Sequence, residues 1–223
     1  MNIAIVLSGG IGTRMGLAKP KQYIEVNNRP ILSYTLETLQ NHSDIDQIQI
    51  VANKEWQEEI QKWTGDKFAG FSNPGDNRQL SILSALKDIR KYANDKDCVL
   101  IQDGVRPLTS SETIRSCFEG LKEHDGVMPA IPMKDTVYVG IDGKIESLLE
   151  RSNIIAGQAP EAFRLGCYYK ANIALLPDKI RSINGSTEPA ILAGLDVGYI
   201  PGDEDNFKIT TKTDLKRFQQ MIE

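Results

Sequence analysis

Residues 3–16 read Ile3-Ala4-Ile5-Val6-Leu7-Ser8-Gly9-Gly10-Ile11-Gly12-Thr13-Arg14-Met15-Gly16. The unbroken apolar run Ile3 to Leu7 suits a strand buried on both faces, as in a parallel sheet covered by helices. The glycines after it let the backbone turn sharply and bring consecutive N–H groups to an anion. Arg14 places a fixed cation in that loop, and Lys21, in Pro20-Lys21-Gln22, follows within reach. Together they suit a polyphosphate. The dinucleotide fingerprint Gly-x-Gly-x-x-Gly is excluded, because Met15 stands where its third glycine belongs. No register gives a P-loop, because Lys21 follows Pro20. A plain strand-to-helix turn is the competing reading of the glycines alone.

Outward from this stretch the chain alternates. Apolar strands read at Ile3–Leu7, Ile48–Ala52 and Val99–Gln102, and helical patterns at Ile31–Gln40, Glu55–Trp63, Gln79–Tyr92 and Ser111–Leu121. Pro30 suits the first position of its helix, and Ser110 or Ser111 suits a cap. The alternation predicts an α/β fold, a mostly parallel sheet with helices on both faces. Ligands of such sheets bind beyond the carboxyl ends of the strands, where Ser8–Gly16 and Asp103–Pro107 both fall. The rhythm then breaks. Thr136–Val139, the Asp142-Gly143 turn and Ile145 onward read as a β-hairpin arm at about 134–157. A helix over Arg164–Leu175, a strand at Val197–Ile200 and a closing helix at Lys212–Ile222 complete a single domain, 1–223.

With 223 residues, 40% hydrophobic and 25% charged, the composition is that of an ordinary globular chain. A net charge of −4 argues against nucleic acid as a partner. Any phosphate site is therefore a local concentration of cations. Cys98, Cys117 and Cys167 form no Cys-x-x-Cys pair, and no signal peptide or membrane span is apparent, so the expectation is a cytoplasmic protein. His42 and His124 neighbour no ligand-spaced partner, which argues against a zinc site or a Ser-His-Asp triad.

Three further segments carry candidate chemistry. Asp103-Gly104-Val105-Arg106-Pro107 puts a carboxylate at a strand end, suited to phosphate-bound Mg²⁺, and a guanidinium suited to phosphate. The alternative is an Asp and an Arg that pair with each other. In Gly202–Thr211, Asp205 suits the metal and Lys208 the phosphate, against the alternative of a solvated acidic loop. Gly75-Asp76-Asn77-Arg78-Gln79-Leu80-Ser81 suits reading a base edge, with helix capping by Asp76 as the competing role.

In their order, Gly9-Gly10-x-Gly12-Thr13-Arg14-Met15-Gly16, Pro20-Lys21-Gln22-Tyr23, Gly75-Asp76-x-x-x-x-Ser81, Asp103-x-x-Arg106-Pro107, Asp135-Thr136, Gln158-x-Pro160-x-x-Phe163 and Asn206-x-Lys208-Ile209-Thr210-Thr211 form a set. It resembles the cytidylyltransferases of 2-C-methyl-D-erythritol 4-phosphate and ribitol 5-phosphate along nearly the whole chain. The resemblance implies a Rossmann-like nucleotidyltransferase, Mg²⁺ as cofactor, CTP and a polyol phosphate as substrates, and a homodimer built through the arm. It assigns Arg14, Lys21 and Lys208 to catalysis on the triphosphate, and Asp103 and Asp205 to the metal. Ser8, Gly9, Gly10, Gly12, Thr13, Gly75, Asp76 and Ser81 are implied to bind the nucleotide. Arg106, Asp135, Thr187 and, across the dimer, Arg151 are implied to face the acceptor.

The departures concern the acceptor. Methylerythritol members usually open Ala-Ala-Gly, where this chain has Ser8-Gly9-Gly10, and carry Ala-Ala-Arg-Pro where this chain has Gly104-Val105-Arg106-Pro107. Their Thr-Pro-Gln becomes Ala159-Pro160-Glu161, so a hydroxyl donor is lost. Thr187-Glu188-Pro189-Ala190 replaces Thr-Asp-x-Ala. An altered acceptor pocket is expected, with another alditol phosphate, for a cell-surface polymer, as one outcome. The alternatives are a transferase using another NTP and a CTP-binding module without turnover.

Overall fold

The computed structural model describes residues 1–10 and 19–223. β1 (Asn2–Leu7) is followed by a small hairpin, β2 (Glu25–Val26) and β3 (Arg29–Pro30), and then α1 (Ile31–Asn41), β4 (Gln47–Val51) and α2 (Lys54–Gln61). Next come β5 (Phe68–Ser72), α3 (Arg78–Ile89), β6 (Cys98–Asp103), α4 (Ser111–Gly120) and β7 (Gly126–Pro132). The arm is β8 (Tyr138–Ile141) and β9 (Lys144–Leu148), after which β10 (Ile155–Gly157) and β11 (Glu161–Arg164) return to the main sheet. α5 (Leu165–Ile173), α6 (Glu188–Leu192), β12 (Val197–Pro201) and α7 (Lys212–Met221) finish the chain.

The sheet runs β10-β7-β11-β6-β1-β4-β5, with β12 also pairing β7. β4 and β6 flank β1 in parallel, β5 extends the sheet beyond β4, and β11 is antiparallel to both β6 and β7. The chain moves outward from β1 to β4 and β5, then crosses to the other side of β1 for β6. That reversal opens a crevice beyond the carboxyl ends of β1 and β6. Because β11 runs the other way, it brings its first residue, Glu161, towards the same edge.

With side chains alternating between two covered faces, β1 is apolar from Ile3 to Leu7. Ala4 and Val6 pack with Leu32, Leu36 and Ile114 on one face, while Ile3 and Ile5 pack with Ile82, Leu86 and Tyr168 on the other. The mostly parallel sheet covered by helices is as expected, and so is the hairpin pair. The arm's turn falls at the expected Asp142-Gly143 pair, which sits at φ 47° and 77°, the two-residue turn that matches strand twist.

Other expectations shift. The helix read from Arg164 begins only at Leu165, because Glu161–Arg164 are drawn into the sheet between β6 and β7. Pro30 precedes the first helix as its cap position rather than opening it. Ser110 caps α4, its hydroxyl accepting from the Thr113 N–H.

Candidate active site

A cavity of about 560 Å³ lies at the crevice. Gly9, Gly10 and Lys21 line it from the loop after β1, and Asn53 from the end of β4. Gly75, Asp76, Arg78 and Ser81 line it from the turn before α3 and that helix's first turn, Asp103 from the end of β6, and Lys208 from the segment before α7. Residues from five separate stretches of chain thus converge. Arg14, Gly12 and Thr13 lie outside the described residues.

Each lining group is placed by an identifiable local cause. Lys21 donates from Nζ to the Ile209 carbonyl at 2.7 Å. Asn77, not Asp76, caps α3, its side chain accepting from the Leu80 N–H at 2.8 Å. A residue one place nearer the helix has the reach that Asp76 lacks. Asp76 is left on the cavity rim, paired with Arg181 at 3.1 Å. The Ser81 hydroxyl accepts from the Gly75 N–H at 3.0 Å and so folds the turn onto the helix. Lys208 reaches the site because Asn206, fully buried, brackets its segment: its amide donates to the Ala159 carbonyl and accepts from Thr109.

Asp103 is the electrostatic centre. Its carboxylate lies 3.0 Å from Lys208 Nζ, 3.2 Å from Arg78 Nη2 and 3.4 Å from Arg106 Nε. Burial alone would raise its pKa, but Arg78, Lys208 and Arg106 outweigh it and hold the carboxyl well below the usual range. A site with three cations around one acid retains a net positive charge, which favours a polyanion. Arg78 is the residue that motif reading missed. Its only sequence signal is a position in the first turn of a helix that starts at the sheet's ligand edge.

The remaining candidates lie off the cavity. Ser8 is buried beneath the loop, bonded to the Tyr23 hydroxyl. Arg106 pairs with Asp103 and donates to the Asn206 carbonyl, the pairing weighed above as the alternative. Asp205 is exposed and paired with Arg217 at 2.8 Å, so the structure does not bring it beside Asp103. Thr187 is buried, its hydroxyl donating to Glu161 Oε1 at 3.3 Å. Asp135 is exposed at the base of the arm, where Arg151 donates to the Lys134 carbonyl. Among the described residues, no group of three or more His, Cys, Asp or Glu is placed to hold a metal.

Glu161 is buried beside this cluster, 3.9 Å from Arg78 Nη2, with Oε2 lacking a hydrogen bond among the described residues. Burial raises its pKa, and Arg78, Ser186 and Thr187 only partly offset that. The folded state therefore keeps a proton that the unfolded chain releases at about pH 4.3. The resulting stability is complete below that value and is lost as pH rises through the folded pKa. Glu161→Gln cannot ionise. The variant is expected to gain on the parent as pH rises above about 4.3, read from urea midpoints. A constant difference between the two proteins would contradict the assignment.

Fold and cavity together define an α/β nucleotidyltransferase: Gly9 and Gly10, the cation cluster and the Gly75–Ser81 turn share one sheet edge. The model of the IspD family, 2-C-methyl-D-erythritol 4-phosphate cytidylyltransferase, matches residues 2–223, and the chain belongs to that family. It is 36% identical over 220 residues to the enzyme of that name from Rubrobacter xylanophilus, covering 96% of this chain and 91% of the relative. It is 29% identical over 233 residues to a ribitol-5-phosphate cytidylyltransferase from Streptococcus agalactiae serotype Ia, covering 100% and 96%. The crystal structure of the Francisella tularensis 2-C-methyl-D-erythritol 4-phosphate cytidylyltransferase superposes with a TM-score of 0.84 at 25% identity, covering 98% and 99%. Membership makes this chain a cytidylyltransferase, one that transfers a cytidylyl group from CTP to a polyol phosphate.

Proposed function

We propose that the chain is a Mg²⁺-dependent, homodimeric enzyme that joins CTP to a phosphate of the methylerythritol or ribitol type and releases pyrophosphate. The observation that carries this reading is the convergence of Lys21, Arg78, Asp103 and Lys208 with the Gly75–Ser81 turn on one cavity. An acceptor phosphate oxygen attacks the α-phosphorus in line, a new P–O bond forms, and the bond to the bridging oxygen breaks with its electrons leaving on pyrophosphate. An acceptor that is already an anion needs no histidine base; it needs charge neutralisation and alignment. Arg14 and Lys21 hold the triphosphate, and Lys208 meets the α-phosphate. Gly75, Asp76 and Ser81 read cytosine, and the loop at Ser8–Thr13 binds the nucleotide.

Mg²⁺ requires only one or two carboxylates when phosphate oxygens complete its shell. Asp103, a buried carboxylate on the cavity wall, meets that requirement, and Asp205 joins it only by leaving Arg217. When bound, the ion neutralises phosphate charge. The acceptor side is assigned to Arg106, Asp135 and Thr187, with Arg151 contributed across the dimer. Support for self-association comes from the arm, where Tyr138, Ile141, Ile145 and Leu148 are exposed apolar side chains. A cytoplasmic location is supported by three free thiols. Among the described residues no helix is long and apolar enough to cross a membrane.

Pyrophosphate release tests the reading, with the four NTPs crossed against methylerythritol, ribitol, glycerol, arabinitol and mannitol phosphates. Turnover is expected with CTP and a polyol phosphate of the first two types. Preference for another NTP, or tight CTP binding with no turnover of any acceptor, overturns it.

A further inference from the structure

The start of the glycine loop is held by side chains from two other elements. Gln22 is buried, and its Nε2 donates to the Ser8 carbonyl at 2.8 Å and to the Gly10 carbonyl at 2.7 Å. Tyr23 donates its hydroxyl to the same Ser8 carbonyl at 3.0 Å and stacks on Trp56, ring centroids 4.2 Å apart. Asn53 stands at the cap position of α2, yet its side chain makes no capping bond. It donates instead to the Gly9 carbonyl at 3.3 Å. Three consecutive carbonyls, Ser8, Gly9 and Gly10, are therefore all occupied.

In a planar trans peptide the C=O and the following N–H point in opposite directions. Fixing the Ser8 and Gly9 carbonyls consequently turns the N–H groups of Gly9 and Gly10 away from Gln22 and Asn53. Those N–H groups have no hydrogen bond among the described residues, and both glycines line the cavity. Contact with the neighbouring loop fixes the position further: a Cβ on Gly9 would stand 2.6 Å from Pro74 Cγ. The peptides are thus aimed before any ligand arrives, which removes an ordering cost from binding.

We propose that Gln22 and Asn53 are positioning residues that aim the Gly9 and Gly10 N–H groups at the polyphosphate. The inference rests on the nucleotide reading of the cavity and adds to it the source of the loop's preorganisation. Neither side chain touches the reacting atoms in this role. Gln22 acts through the backbone while its neighbour Lys21 supplies charge directly.

Gln22→Met tests the proposal, because methionine keeps the length and packing of glutamine but has no N–H to donate. Binding is measured by calorimetry for CTP and for inorganic pyrophosphate, which carries the anion without the base. Binding of cytidine, which carries the base without the anion, is followed by NMR. CTP and pyrophosphate are expected to bind about tenfold more weakly, as for one charge-assisted hydrogen bond, with cytidine unchanged and the thermal transition still cooperative. Asn53→Ala should move the same two ligands in the same direction by a smaller factor. A folded Gln22→Met protein that binds pyrophosphate as the parent does, or loses cytidine in equal measure, overturns the proposal. Failure of the cytidylyl reading looks different: the parent binds pyrophosphate but shows no preference for CTP over other NTPs.

Discussion

Lys21→Ala is expected to lower kcat by about 10²- to 10³-fold, the usual cost of removing one preorganised charge-stabilising contact. The fold should survive. Lys21 follows Pro20 in a short 3-10 turn, and the buried anchors of that turn are its neighbours Gln22 and Tyr23. Its Nζ makes a hydrogen bond to the Ile209 carbonyl, a net contribution of only about 1 kcal/mol. That bond also ties the first loop to the segment carrying Lys208, so the two cations are held on one cavity. Lys21→Arg keeps the charge but changes its geometry from a point donor to a planar fork, and should recover only part of the activity. Steady-state pyrophosphate release separates the cases. A Lys21→Ala enzyme with near-parental kcat would remove Lys21 from the transition state, whatever its effect on KM.

The sequence was legible where its signals were local. Ile3–Leu7 of β1 and Cys98–Ile101 of β6 are continuous apolar runs and β4 is apolar at Ile48, Ile50 and Val51, and their buried, parallel arrangement follows from that composition. Asp142-Gly143 announced a hairpin turn for the same reason. β5 escaped notice because Gly70, at φ 144°, interrupts its pattern. Pro129 and Pro132 similarly disguise β7 as a loop. β11 had no local signal at all: Glu161–Arg164 form a strand because β6 and β7 lie on either side of them. The same distinction governs the site. Lys21, Asp103 and Lys208 stand in recognisable motifs and do meet at the cavity. Arg78 stands within the Gly75–Ser81 stretch but carries no role there, Asn53 belongs to no motif, and both reach the cavity through the way α3 and α2 start at the sheet edge. Asp205 and Lys208 are three residues apart in sequence, yet Arg217 draws one outward while Asp103 draws the other inward.

Asp103→Asn should separate the two duties of that carboxylate by giving them opposite signs. Asp103 is 6% exposed and is the shared counter-charge of Arg78, Arg106 and Lys208. An isosteric amide leaves three cations facing one another around a neutral group. Removing one partner of a buried pair costs about 3 kcal/mol or more, and here Lys208 and Arg78 recover some hydration because their side chains are 32% and 29% exposed. A loss of about 2–3 kcal/mol in denaturant-derived stability is therefore expected. Because the carboxyl's pKa is depressed, its contribution to the parent is present above the ordinary carboxylate pKa and is lost as pH falls towards the folded value. The gap between parent and variant should accordingly begin to narrow only below about pH 4 and close as pH nears the depressed folded value. Ligand binding should move the other way. Without divalent ion, Asp103 repels a polyphosphate, so the variant is expected to bind pyrophosphate about tenfold more tightly, roughly 1.4 kcal/mol. With Mg²⁺ present the parent should gain affinity and the variant should not, and turnover should fall by at least about 10²-fold. A gap that does not narrow as pH falls below about 4 would make the defect a packing one. An undiminished response to Mg²⁺ would place the metal on another group.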